Sequence, residues 1–193
     1  MSTSLTERFW TIPNILSLYR IIIFPFIFYL VYVKDESLFT VFITISLVTD
    51  ILDGLIARAF KMQTQIGVKL DSLADIGTTL LAFLAIYVLK WEQVKPHAFA
   101  VLIFFIAWLL AYLIAIIRFG GLVGLHTYLF KITGYLQGAF IVTLFVFNFN
   151  LLLFYFAVIV GIIASVEEII IVSIIPKPIS NVKGLYWLLK NRS

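Results

Sequence analysis

Six long apolar runs, Ile12–Val33, Leu38–Ala59, Val68–Leu89, His97–Phe119, Thr127–Phe147 and Leu151–Ile171, leave this chain very few folds to choose from. About 20 such residues cross the ~30 Å hydrocarbon core of a bilayer as one helix. Inside that core a helix satisfies every backbone N–H and C=O within itself. The sequence predicts an all-α membrane protein with six transmembrane helices. The separators, such as Lys34-Asp35-Glu36 and Asn148-Phe149-Asn150, are short. Residues 1–193 are therefore read as a single transmembrane domain. Composition agrees: 63% of residues are hydrophobic and 12% charged, against about 25% charged in soluble domains.

An even number of spans puts both ends of the chain on one side. Lys34, Lys90 and Lys95 fall on the opposite side, and the other eleven of the 14 Lys and Arg residues share the side of the termini. The positive-inside rule then orients both termini to the cytoplasm. The net charge of +4 contains no basic run of five or more, so it is read as topology and headgroup attraction, with no nucleic-acid partner. With no cysteine there is neither a disulfide nor a thiolate metal site. Met1 to Trp10 has no cleavable-signal pattern; Leu5, Phe9 and Trp10 beside Glu7 and Arg8 predict a short interfacial segment. The tail from Pro176 to Ser193, with Leu185, Tyr186, Trp187, Leu188 and Leu189, predicts another on the same face.

Four of the ten acidic residues fall between positions 50 and 75. Carboxylates in or beside membrane spans are expensive to place and are functional candidates by default. Asp50 and Asp53 are spaced i,i+3 and Asp71 and Asp75 i,i+4, so each pair shares a helix face. Two such faces turned toward each other gather carboxylate oxygens, a ligand set for hard divalent ions such as Mg2+ or Mn2+. The bland reading, separate solvated carboxylates at helix ends, explains either member of a pair but not four at this spacing.

Asp50-x2-Asp53-Gly54-x2-Ala57-Arg58-x8-Gly67-x3-Asp71-x3-Asp75 resembles the signature of the CDP-alcohol phosphotransferases at every fixed position. The resemblance implies transfer of a phosphatidyl group from CDP-diacylglycerol to an alcohol, with release of CMP, in phospholipid synthesis. It implies two metal ions, one on Asp50, Asp53 and Asp71 and one on Asp50, Asp71 and Asp75, with Asp75 also the catalytic base toward the acceptor hydroxyl. It further implies that Gly54, Ala57, Arg58 and Gly67 line the site of the CDP moiety, and that the protein is a homodimer. For Gly54 and Ala57 a small-residue helix-packing face is the alternative.

Other polar residues carry two readings each. Arg20, deep in the first span, either faces the charged site or serves structure. Arg118, His126 and Lys131 either bind a phosphate on the acceptor or mark the cytoplasmic flank. Glu167 and Glu168 are read as a solvated or interior-facing pair, and His97 as an outer-loop residue with no metal role. Thr11-Ile12-Pro13-Asn14-Ile15-Leu16-Ser17-Leu18-Tyr19-Arg20 resembles the opening of bacterial phosphatidylglycerophosphate synthases, and Lys131-Ile132-Thr133 a later segment of theirs. Leu70-Asp71-Ser72-Leu73-Ala74-Asp75 looks more like phosphatidylserine synthases, and Ile76 stands where a lysine often follows in the glycerophosphate enzymes. The expected acceptor is glycerol 3-phosphate or another phosphorylated polyol; phosphatidylserine or phosphatidylinositol synthesis is the alternative. A membrane metal-ion transporter is the rival from another class, and a noncatalytic lipid-binding homologue a further one.

Overall fold

A computed structural model describes residues 10–60, 62, 64–120, 127–177 and 182–190. All of the expected N-terminal interfacial segment but Trp10, and the basic candidate His126, lie outside the described residues. Among those described, the chain forms α1 (Ile12–Tyr32), α2 (Glu36–Ala59), α3 (Gln65–Leu89), the short α4 (Trp91–Val94), α5 (Ala98–Phe119), α6 (Tyr128–Val142, continued by a π-helical stretch Thr143–Phe147), α7 (Leu151–Ile174) and α8 (Leu185–Lys190). Six helices are long and apolar enough to cross a membrane. The protein is an all-α, multi-pass membrane protein, as its apolar runs require.

Helix starts follow from capping chemistry. The side chains of Thr11, Asp35, Thr64, Thr127 and Asn150 accept hydrogen bonds from the backbone N–H three residues on, at 3.4, 3.0, 2.8, 3.1 and 2.9 Å. Each satisfies one of the N–H groups that a helix start leaves unpaired. Such groups are costly near hydrocarbon, which is why the polar breaks in the sequence coincide with the helix ends. The α5 helix stops at Gly120, whose φ of 70° suits a residue without a Cβ.

The helices divide into two compact units, one ending at Trp91 and one beginning at Glu92. In the first, α1 packs along both α2 and α3, while α2 and α3 touch each other far less. Phe24 of α1 lies against Gly77 of α3, where a Cβ would come within 3.1 Å of the ring. Lys90 and Glu36 pair at 2.6 Å where α3 ends and α2 begins.

In the second unit α7 packs on α5 and α6. Gly161 permits this approach, since a Cβ there would sit 2.7 Å from the Phe104 ring. Ala115, Ile171, Val172 and Ile175 form a buried cluster on which Leu185 and Leu188 of α8 rest. The backbone N–H of Leu185 donates to Glu167 Oε1 at 3.0 Å, and Glu168 is buried in α7. The tail segment expected at an interface is thus a helix with one side packed on α7 and with Tyr186, Trp187 and Leu189 exposed. His97 lies 3.0 Å from the Tyr155 hydroxyl and stacks on Phe149.

Candidate active site in the first unit

Asp50 and Asp53 lie in the second half of α2, and Asp71 and Asp75 in the first half of α3. At ~1.5 Å per residue all four sit about 9–15 Å in from the Ala59 and Gln65 ends, and Arg20 sits about 12 Å in from the start of α1. They share one depth, and they meet on Arg20. Its Nη1 is 2.5 Å from Asp50 Oδ1 and 3.0 Å from Asp75 Oδ1. Its Nη2 is 2.9 Å from Asp53 Oδ2 and 2.7 Å from Asp71 Oδ1. The two acidic faces gather their oxygens as expected, and they do so around a side chain of α1, because α1 packs along both helices and carries Arg20 between them.

Burial grades the site. The Arg20 side chain is 1% exposed and Asp53 5%, whereas Asp71, Asp75 and Asp50 reach 28%, 25% and 40%. Asp53 forms the floor, and Ser17 Oγ lies 3.2 Å from its Oδ2 and equally far from the Pro13 carbonyl, its single proton serving one acceptor at a time. Three oxygens, one each from Asp50, Asp53 and Asp71, fall within 4.8 Å of one another. An all-carboxylate set this close, without sulfur or nitrogen donors, fits a hard divalent cation.

Above this floor, α1 is tied to the start of α3. Asn14 Nδ2 donates to Thr64 Oγ1 at 3.0 Å, and the same oxygen accepts the Gly67 N–H at 2.8 Å. A Cβ on Gly67 would collide with Asn14 Oδ1 and come within 2.7 Å of Thr64 Oγ1. Gly67 is therefore bare for a reason internal to the protein, and Gly67→Ala should be destabilising. Overpacking of this kind costs about 1–3 kcal/mol, before any loss of the Thr64 cap. Thermal unfolding of the purified variant should show a melting temperature several degrees lower, and an unchanged one would mean that Asn14 swings aside freely.

Gly54 differs. The three atoms nearest to a Cβ there all belong to the exposed side chain of Arg58, at 3.3–3.8 Å, one turn further along α2. No neighbouring helix supplies any of them, so close helix packing does not account for Gly54. Ala57 lies on the same stretch, half-buried. Arg118 and Lys131 belong to the second unit: Arg118 Nη2 donates to the Ile175 carbonyl at 3.3 Å, and Lys131 Nζ lies 5.8 Å from the Tyr128 ring.

Reasoning from the sequence left Arg20 open and passed over Ser17 and Thr64 as site residues. The signal was present in α1, where Asn14, Ser17 and Arg20 recur every third residue and are all 3% exposed or less.

No solved structure matches the chain. Among curated proteins it is 34% identical over 92 residues to the CDP-diacylglycerol–glycerol-3-phosphate 3-phosphatidyltransferase of Aquifex aeolicus, covering 48% of this chain and 52% of that one. The namesake enzyme of Pectobacterium atrosepticum is 34% identical over 94 residues, 46% of this chain and 52% of its own. Human cardiolipin synthase (CMP-forming) is 42% identical over 73 residues, 37% of this chain and 24% of the human one. The chain spans about half the length of the curated glycerol-3-phosphate relatives it matches, and a quarter of the human protein. The family model for CDP-alcohol phosphatidyltransferase matches residues 10–163, from the start of α1 to the middle of α7. With the helix that carries Arg20 and the two that carry the aspartates all inside that match, the chain belongs to the CDP-alcohol phosphatidyltransferase family.

Proposed function

We propose that this protein transfers the phosphatidyl group of CDP-diacylglycerol to the hydroxyl of a small alcohol, releasing CMP. The observation that carries the reading is the convergence of all four motif aspartates, from α2 and α3, at one depth on Arg20 of α1, within a chain of this family. Asp50, Asp53 and Asp71 would hold one Mg2+ or Mn2+ ion, and Asp50, Asp71 and Asp75 a second; bound there, they would supply positive charge to offset the diphosphate oxygens and the charge on departing CMP.

The chain's own residues do the rest. Gly54 and Ala57 leave the α2 backbone open to the CDP moiety, the backbone at Gly67 borders the same site from the start of α3, and the Arg58 guanidinium binds its phosphates as a fixed cationic fork. Asp75 accepts the hydroxyl proton of the acceptor as that oxygen attacks phosphorus and the bond to CMP breaks. The leading acceptor is glycerol 3-phosphate or another phosphorylated polyol, with Arg118 and Lys131 binding its phosphate. A cardiolipin-forming reaction is the second reading, favoured by the higher identity of the human match. The active site and both termini face the cytoplasm, by the asymmetry of basic residues, and the protein works as a homodimer. A cation transporter fits less well, because the four carboxylates gather toward one side of the spans with Arg58 beside them to repel a permeating cation.

The test is CMP release from CDP-diacylglycerol by the purified protein with Mg2+, across glycerol 3-phosphate, inositol phosphate, serine, inositol and phosphatidylglycerol. Release with none of them overturns the reading. With a phosphorylated acceptor, Arg118→Gln or Lys131→Gln should raise its KM by roughly ten- to a hundredfold, the value of one charge-assisted contact of about 1.5–3 kcal/mol. The KM for CDP-diacylglycerol should move far less. If both variants leave the acceptor KM untouched, the two residues are topology signals only.

A further inference from the structure

Arg20 is a charged group at the centre of the site that neither the motif nor the proposed reaction employs. Its terminal nitrogens lie on all four carboxylates, and its Nε is buried with no hydrogen-bond partner. A structural ion pair needs one carboxylate, not four. Four negative charges around one positive charge leave a surplus of three, in surroundings where like charges a few ångströms apart repel strongly. The guanidinium therefore stands where the field of the four carboxylates is deepest, which is also where a divalent cation is drawn. It sits on the closed side, 1% exposed, while Asp50, Asp71 and Asp75 remain reachable from solvent.

We propose that Arg20 is the resident counter-ion of the aspartate site, holding α2 and α3 onto α1 until divalent cations take over the carboxylate oxygens that it contacts. The proposal rests on the reading of these aspartates as metal ligands. It makes Arg20 a positioning residue that competes with the ions it prepares the site for. Two consequences have opposite signs. Removing the charge should strengthen ion binding, since the site loses a competing cation. It should also weaken the ion-free protein, since nothing then offsets the carboxylate repulsion.

The experiment is Mn2+ titration of the purified protein in lipid nanodiscs without substrate, read by the electron paramagnetic resonance of free Mn2+, together with melting temperatures in Mn2+ and in chelator. Arg20→Gln should bind Mn2+ about tenfold tighter than wild type or better. In chelator its melting temperature should drop well below its value in Mn2+, while wild type changes little. Arg20→Lys, which keeps the charge and loses the fork, should fall between the two. A glutamine variant that folds only in the presence of Mn2+ supports the proposal, and one that folds in neither condition leaves the lysine variant to decide by the same sign. If wild type binds Mn2+ and the folded variants bind it equally or more weakly, the Arg20 proposal fails alone. If neither wild type nor variant binds Mn2+, the metal reading fails and takes this proposal with it.

Discussion

Asp50→Asn, Asp53→Asn, Asp71→Asn and Asp75→Asn should each lower the rate of CMP release by about 10²–10⁴-fold, the range associated with a positioned acid or base. Each exchange keeps the shape of the side chain and removes its charge, so what is lost is ligand strength or basicity. The burial gradient separates chemistry from folding. Asp50 is 40% exposed and contributes one contact to Arg20, so Asp50→Asn should melt near the wild-type temperature while losing turnover. Asp53 is 5% exposed and holds both Arg20 and Ser17, so Asp53→Asn should lose stability as well. Turnover at fixed substrate and thermal unfolding of the same preparations check both. A folded variant that turns over normally would remove that aspartate from the site.

Chelation should have an effect as large. With excess EDTA, CMP release should fall to background, and Mg2+ or Mn2+ should restore it while monovalent salt at equal ionic strength should not. Without the ions the cations left are Arg20 and Arg58, whose single charges cannot replace two divalent ions on a diphosphate. The chelated protein should nevertheless remain folded, because Arg20 still holds the three helices at 2.5–3.0 Å contacts. Undiminished release in EDTA would overturn the two-ion reading.

Much of this was legible in the chain because the bilayer simplifies the problem. Where no water satisfies the backbone, a long apolar run has one solution, and the expected spans differ from the observed helices by a few residues at most: Val68 against Gln65 at the start of α3, Ile171 against Ile174 at the end of α7. The first arises at the Thr64 cap, whose side chain adds a polar turn that an apolar count leaves out. The aspartates were legible because their spacing lies on single helices. The role of α1 was not, because contacts such as Arg20 to Asp75 and Asn14 to Thr64 join residues 55 and 50 positions apart. The same holds for Glu167 and Leu185, 18 apart and on different helices. Helical periodicity says which face a residue is on and nothing about the neighbour opposite.

That separation has a consequence for how the protein is made. Arg20 leaves the ribosome first, and its last carboxylate partner, Asp75, follows 55 residues later. At about 5–20 residues per second, α1 waits some ~3–11 s with a lone guanidinium in an apolar segment. The toll for such a charge at mid-span is about 2.5–3.5 kcal/mol on insertion scales, against about 0.3–0.6 kcal/mol gained by each of the thirteen Ile, Leu, Phe and Val residues of α1. That apolar surplus lets α1 bear the charge alone, and α2 and α3 relieve it when their aspartates arrive.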